Sequence, residues 1–233
     1  IRMFTNFSHE LRTPLMLILS PLEEVLQRVD MNPNLKGSLR LVYGNAQRLL
    51  LLVNQLMDLR KNQSGNLQLR VSHNDLYLFT QEIYIAFNQI AVKERIIFRL
   101  ESDESGIDAW FDRVLLEKVF FNLLSNAFKH TAPDESITIR LQLFSVAGLQ
   151  EQFPGRISGE VRGTSRYVCL SVEDTGKGID DSDKFHIFSP FYQGTDESES
   201  NTAGTGIGLS LVLSIGKLHK GVVWVEDNKP KGA

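Results

Sequence analysis

Phe4, Phe7, Leu11, Ile18, Leu22, Val25 and Val29 recur at spacings of three and four residues, with one position skipped at Pro14. Leu39, Val42, Ala46, Leu49, Val53 and Leu56 then repeat the pattern without a break. This alternation constrains the fold more than any other feature, because such an apolar stripe is stable only where a neighbouring helix covers it. It predicts helices over about residues 1–29 and 34–62, joined by a turn at Asp30–Pro33, and hence an antiparallel helical hairpin. Pro14 and Pro21 fall inside the first helix, where each removes a backbone donor and favours a kink. Leu19, Leu41, Leu50 and Leu52 lie off the stripes. One hairpin cannot bury both sets, so the sequence predicts a four-helix bundle made by two copies.

His9 lies about 200° around the helix from Phe7 at ~100° per residue, facing away from the seam. Thr13 follows it by one turn and Glu10 is its neighbour. An imidazole beside a carboxylate on an exposed helix is a usable nucleophile, since the carboxylate fixes the tautomer and accepts positive charge. Spacing alone leaves an ordinary surface histidine as the commoner reading.

After a polar break at Gln63–Asn66 the pattern changes. Leu67–Ser72 alternates like a strand and Leu76–Val92 reads as an amphipathic helix. Short strands follow at Ile96–Leu100 and Ala109–Phe111, then a helix over Asp112–Lys129 and a strand over Ser136–Val146. Ala147–Ser165 carries glycines, a proline and charges, and is predicted to be a long exposed hairpin connection. Tyr167–Glu173 reads as a strand, Gly206–His219 as a helix, and Val222–Glu226 as the start of a further strand. Strands separated by helices, with hairpin-like pairs, indicate an α+β class: a sandwich with helices on one face of a mixed sheet. The predicted domains are 1–64 and 65–233.

A net charge of −3 over 233 residues, with no basic run, gives no electrostatic case for nucleic acid. The single cysteine, Cys169, sits in the apolar run YVCLSV and fits a buried strand in a reducing compartment. No run approaches the roughly 20 apolar residues that span a bilayer. The chain opens mid-helix without initiator or signal peptide, and reads as a piece of something longer.

Three motifs of the second part suit a nucleotide. FNLLSNAFKHT sets Asn122 and Asn126 one turn apart on a helix, with Lys129 and His130 at its end. Carboxamide oxygens suit a hard cation, and lysine suits phosphate. DTGKGI follows a strand, with Asp174 at its end and Gly176 and Gly178 allowing close backbone approach. GTGIGLS, Gly204–Ser210, opens a helix whose free N–H groups could cradle phosphate. Taken singly, each also fits an ordinary cap or turn.

Taken in order, the motifs carry a resemblance. FSHELRTPL (7–15) resembles the phosphoacceptor box of sensor histidine kinases of two-component systems. The succession FNLLSNAFKHT, DTGKGI, IFSPFYQ (187–193) and GTGIGLS is similar to their ATP-binding domain, a Bergerat-type fold of the GHKL superfamily. The resemblance covers essentially the whole chain. It implies a dimerisation and phosphotransfer domain, followed by a catalytic domain that uses ATP and Mg²⁺. Asn126 and Asn122 would hold the metal, and Lys129 and His130 would contact phosphate. Asp174 would accept from the adenine amino group, with Gly176 and Gly178 framing the base. Gly204, Thr205, Gly206 and Gly208 would line the phosphates, and residues 194–203 match that family's lid. Phe188 and Phe191 would anchor the lid, with simple core packing the other reading. His9 would be phosphorylated, Glu10 would assist, and Thr13 would orient a water for dephosphorylation of the receiver.

The resemblance implies a homodimer, a response-regulator receiver domain and an upstream sensor as partners. It also implies a cytoplasmic segment of a membrane-anchored sensor, itself without membrane contact. Two features depart from the family. The final glycine box and strand are expected beyond Lys231-Gly232-Ala233, which would leave the sheet short of an edge, and the 147–165 insertion is long. The alternatives are a GHKL-type ATPase and a non-catalytic dimerising scaffold. The first is disfavoured because Asn122 occupies the position where such ATPases carry a water-activating glutamate.

Overall fold

The computed structural model describes residues 2–27, 32–63, 68–155, 166–194 and 205–233. It divides into two compact units, Ile1–Gln68 and Leu69–Ala233.

The first unit is a helical hairpin of α1 (Arg2–Leu26) and α2 (Pro33–Gln63), with Pro14 and Pro21 inside α1. Pro33 is not part of the connecting turn but opens α2, where its missing N–H costs nothing. Asn32 caps that helix: its Oδ1 accepts from Asn34 N at 2.9 Å. Leu15, Leu19 and Val53 are buried, and Arg12 donates to Asn54 Oδ1 at 2.7 Å. The stripe predicted as the seam is therefore corrected in part. Leu19, set off it, is buried, while Ile18, Val42 and Leu49, set on it, are exposed in the single chain. Helices with two adjacent apolar faces can bury only one of them within a single hairpin.

The second unit begins with β1 (Ser72–Asp75), α3 (Leu76–Glu94), β2 (Ile97–Ser102), β3 (Asp108–Phe111) and α4 (Arg113–His130). It continues with β4 (Ser136–Phe144), α5 (Val146–Gln152), β5 (Tyr167–Asp174), α6 (Asp181–Lys184) and α7 (Gly208–Leu218). β1 and β3 pair antiparallel. The main sheet runs β2-β4-β5, with β2 parallel and β5 antiparallel to β4. Ile137, Ile139 and Leu141 alternate along β4 and are fully buried against Phe79, Phe120 and Leu124 of α3 and α4. Each such side chain removed from water contributes roughly 1.5–3 kcal/mol. Arg140, on the opposite face of β4, bridges Glu101 of β2 at 2.8 Å and Glu173 of β5 at 3.0 Å.

Two aspartates start the two long helices. Asp75 Oδ1 accepts from Tyr77 N and Leu78 N, and also from Ile107 N before β3. Asp112 Oδ1 accepts from Leu115 N, while its Oδ2 accepts from Arg70 N. At the far end of α7, His219 Nε2 accepts from Asp112 N at 3.1 Å and its Nδ1 lies 2.9 Å from Ile215 O. Those two bonds fix the neutral tautomer with the proton on Nδ1.

Three strand expectations are corrected. The strand predicted at Leu67–Ser72 lies later, at Ser72–Asp75, because pairing with β3 decides it rather than alternation. β4 stops at Phe144, and the supposed hairpin connection opens with α5, whose N-cap Ser145 accepts from Gly148 N; residues 156–165 lie outside the described residues. Val222–Glu226 forms no strand among the described residues. It packs by side chains instead, Trp224 against Phe153 at 4.9 Å between ring centroids.

Candidate nucleotide site and phosphoacceptor helix

α4 and α7 run antiparallel and bring two of the motifs together. Asn122 lies on α4 opposite the first residue of α7: a Cβ on Gly208 would fall 2.5 Å from its Oδ1. Its Nδ2 donates to Lys118 O at 2.7 Å, which holds the carboxamide oxygen outward from α4. Asn126, one turn on, is half-buried, and its carboxamide makes no hydrogen bond to another described residue. Lys129 and His130 fill the last turn of α4, where positive charge complements the helix dipole.

α7 has no side-chain cap at its start, so the amides of its first turn are available to an anion. Thr205 Oγ1 accepts from Ile207 N at 3.2 Å just before it. Gly206 has φ +66°, and a Cβ there would meet the Phe191 and Tyr192 backbone at 2.6 to 2.8 Å. Only glycine fits that geometry. Its carbonyl accepts from Phe191 N at 2.8 Å, which joins the aromatic segment to the glycine motif. Phe188 is half-buried, while Phe191 is 60% exposed and so is not a core residue. Tyr192 donates to Asp183 Oδ1 at 2.7 Å and steadies the same segment. Gly204 and all but Gly194 of the lid expected at 194–203 lie outside the described residues.

Asp174 ends β5 half-buried, and its Oδ1 accepts from Gly176 N at 2.9 Å. Burial pushes its carboxyl above the usual carboxylate range, while backbone donors at Gly176 and Ala233 pull it back. Gly176 and Gly178 do not leave open space. A Cβ on Gly176 would overlap the His130 carbonyl, and Gly178 abuts the Gly232 backbone. These glycines pack the DTGKG turn onto the end of α4 and onto the chain's last residues. Thr131, the C-cap of α4, is buried, and its Oγ1 has no hydrogen-bond partner among the described residues. An orphaned hydroxyl beside this turn, two carboxamides and an uncapped helix start together form a donor set that fits a magnesium nucleotide. No group of three His, Cys, Asp or Glu residues could hold a metal among the described residues.

Sequence reasoning missed Thr131, Tyr192 with Asp183, and the contacts of Asn228–Ala233 to Asp174. The turn-forming string Asn-Lys-Pro-Lys-Gly was the one available signal for the last of these. In the other unit, His9, Glu10 and Thr13 lie on α1, whose helical spacing sets His9 and Thr13 on one face. Their side chains lie outside the described residues.

Residues 1–65 match a family model for the His Kinase A (phospho-acceptor) domain. Residues 111–233 match the histidine kinase-, DNA gyrase B- and HSP90-like ATPase family. The chain is 33% identical over 226 residues to histidine kinase P4 of Formosa agariphila, covering 96% of this chain and 15% of that relative. It thus spans a small fraction of the relative's length. Among solved structures, full-length ShkA in complex with AMPPNP shares the fold at 21% identity, with a TM-score of 0.72 over 97% of this chain and 43% of that one. Histidine kinase ThkA in complex with response regulator TrrA shares it at 22% identity, with a TM-score of 0.59 over 98% of this chain and 58% of that one. The chain therefore belongs to the sensor histidine kinases, with a phosphoacceptor domain followed by a catalytic domain of the histidine kinase, gyrase B and HSP90-like ATPase family.

Proposed function

We propose that this chain is an ATP-dependent protein histidine kinase that phosphorylates His9 and passes the phosphoryl group to an aspartate of a response-regulator receiver domain. One observation carries the reading. Position 122, where an ATPase of this superfamily would need a carboxylate to activate water, holds a carboxamide whose Nδ2 donates to Lys118 O and whose oxygen lies close to the start of α7. Such a site aligns and neutralises phosphates but supplies no general base, so the acceptor comes from elsewhere. The box at 7–15 provides one.

The chemistry asks mainly for positioning and charge neutralisation. The amides of α7 and the glycines at 204, 206 and 208, with Thr205, would hold the phosphates; Lys129 and His130 would add positive charge. Asp174 would accept from the adenine amino group. Asn126 and Asn122 would hold Mg²⁺, which would supply positive charge to offset that of the phosphates. Neutral His9 forms a bond to the γ-phosphorus as the bond to the bridging oxygen breaks and ADP leaves. Glu10 accepts from the other ring nitrogen and offsets the positive charge that develops there. Thr13 would hold a water for the reverse duty, hydrolysis of the phosphorylated receiver.

Dimerisation through a four-helix bundle is supported by the exposed apolar face of the hairpin, including Leu17 and Leu41. No described helix is long and apolar enough to cross a membrane. ATP use favours the cytoplasmic side, and the greater length of the relatives leaves room for a sensor domain and a membrane anchor.

His9→Gln is expected to abolish acid-labile, base-stable incorporation of label from γ-labelled ATP while nucleotide binding persists. Label of that kind on the mutant would overturn the assignment. Steady ATP turnover without a phosphoprotein in the native chain would favour an ATPase.

A further inference from the structure

We propose that residues 227–233 form a clasp that positions Asp174 for nucleotide recognition, with Asn228 as its positioning residue. The proposal rests on the reading of Asp174 as the group that meets adenine.

Among the described residues β5 has a strand neighbour only in β4, and the backbone groups of Asp174 turn away from β4. Both are taken by the clasp. Asp174 N donates to Ala233 O at 2.8 Å, and Asp174 O accepts from Asn228 Nδ2 at 2.7 Å. Asn228 N donates to Gly232 O at 3.0 Å, closing the segment on itself. Gly232 is buried with φ +108°, and a Cβ there would overlap the Asp174 carbonyl. No other residue type allows so close an approach at that φ.

The clasp is fixed at both ends. Lys184 Nζ lies 2.5 Å from Asp227 Oδ2 and 2.7 Å from Asp181 Oδ1. Lys231 Nζ lies 2.8 Å from Glu135 Oε1, and Glu135 Oε2 accepts from Ala132 N at 2.8 Å, in the loop that leaves α4. The hydrogen bond from Lys231 holds the Glu135 carboxyl below its ordinary range. The segment thus joins the two elements around Asp174 to the residue itself. With its N–H and C=O both held, the peptide planes flanking Asp174 cannot turn, and the Gly176 amide sets the carboxylate. That arrangement orients a hydrogen-bond acceptor.

The test compares ATP and GTP binding by titration calorimetry on the full chain with Mg²⁺, with the unfolding midpoint of each variant alongside. Asn228→Ala is expected to lower the ATP-over-GTP affinity ratio about tenfold, equivalent to about 1.4 kcal/mol, with GTP affinity nearly unchanged. Asn228→Asp, which keeps the shape but replaces the donor, should do at least as much. Lys231→Met should act in the same direction more weakly. In an Asp174→Asn background, Asn228→Ala should no longer alter the ratio. Equal loss of ATP and GTP affinity, or no loss, overturns the clasp, as does failure of all three single variants to fold. If Asp174→Asn itself leaves the ratio intact, the adenine reading falls, and the clasp with it. If Asp174→Asn collapses the ratio while the clasp variants do not, only the clasp falls.

Discussion

Asp174 binds its proton more tightly in the folded chain than an ordinary aspartate does, because burial outweighs the donors at Gly176 and Ala233. A group with a raised folded pKa takes up protons on folding between its unfolded and folded pKa values. The chain without nucleotide therefore gains stability from this residue as pH falls through that window, and loses it as pH rises. Nucleotide binding has the opposite sign, since the carboxylate accepts more strongly from an adenine amino group than the protonated acid does. ATP affinity is expected to fall with pH across that window, and the difference between wild type and Asp174→Asn should isolate the contribution. Equal pH slopes in the two proteins would show that Asp174 does not titrate with binding. Cys169 is also shifted: burial in β5 pushes its thiol up to about 11. It stays a protonated, unreactive thiol near neutral pH, in keeping with a strand residue.

At the scale of elements, the site depends on how α7 begins. Gly206→Ala would place a Cβ into the Phe191 and Tyr192 backbone at a positive φ. Strain of that kind costs about 1–3 kcal/mol, and relief would displace the first turn of α7 from Asn122. Loss of more than about tenfold in ATP affinity is expected, equivalent to 1.4 kcal/mol, with a lowered unfolding midpoint; unchanged calorimetric affinity would contradict it. The long elements were legible in the sequence because their signals are local. Leu76, Phe79, Ile83, Phe87 and Ala91 of α3 recur at helical spacing and are buried as that spacing requires. β1 was not legible, since Ser-His-Asn-Asp has little strand propensity and is held by its pairing with β3 and by the capping role of Asp75. Val222–Glu226 misled in the opposite direction. It has strand-forming residues without a ladder among the described residues, and Val223 instead packs on Gly216. Asn122, Asn126, Asp174 and the glycines stood out by motif. The Asn228 contact did not, because it spans 54 residues and leaves no periodic trace.

At the scale of the molecule, the hairpin of the first unit leaves an apolar face in water. Leu17 is 70% and Leu41 69% exposed in the single chain. Leu17→Glu with Leu41→Glu should convert a dimer to monomers by light scattering, since each buried charge would cost several kcal/mol. The second unit should still bind nucleotide in that variant; retention of the dimer would place its interface elsewhere. In the second unit, α4 and α7 are tied twice, by Asn122 against Gly208 and by Asp112 against His219. The ties lie ten residues apart on α4 and eleven on α7, about 15 and 16 Å of helix. Each helix therefore gauges the length of the other. An insertion or deletion between the ties on one helix would break a tie unless the other changed by a matching number of residues. Over evolutionary time the two segments can lengthen or shorten only together, although 85 residues of sequence separate them.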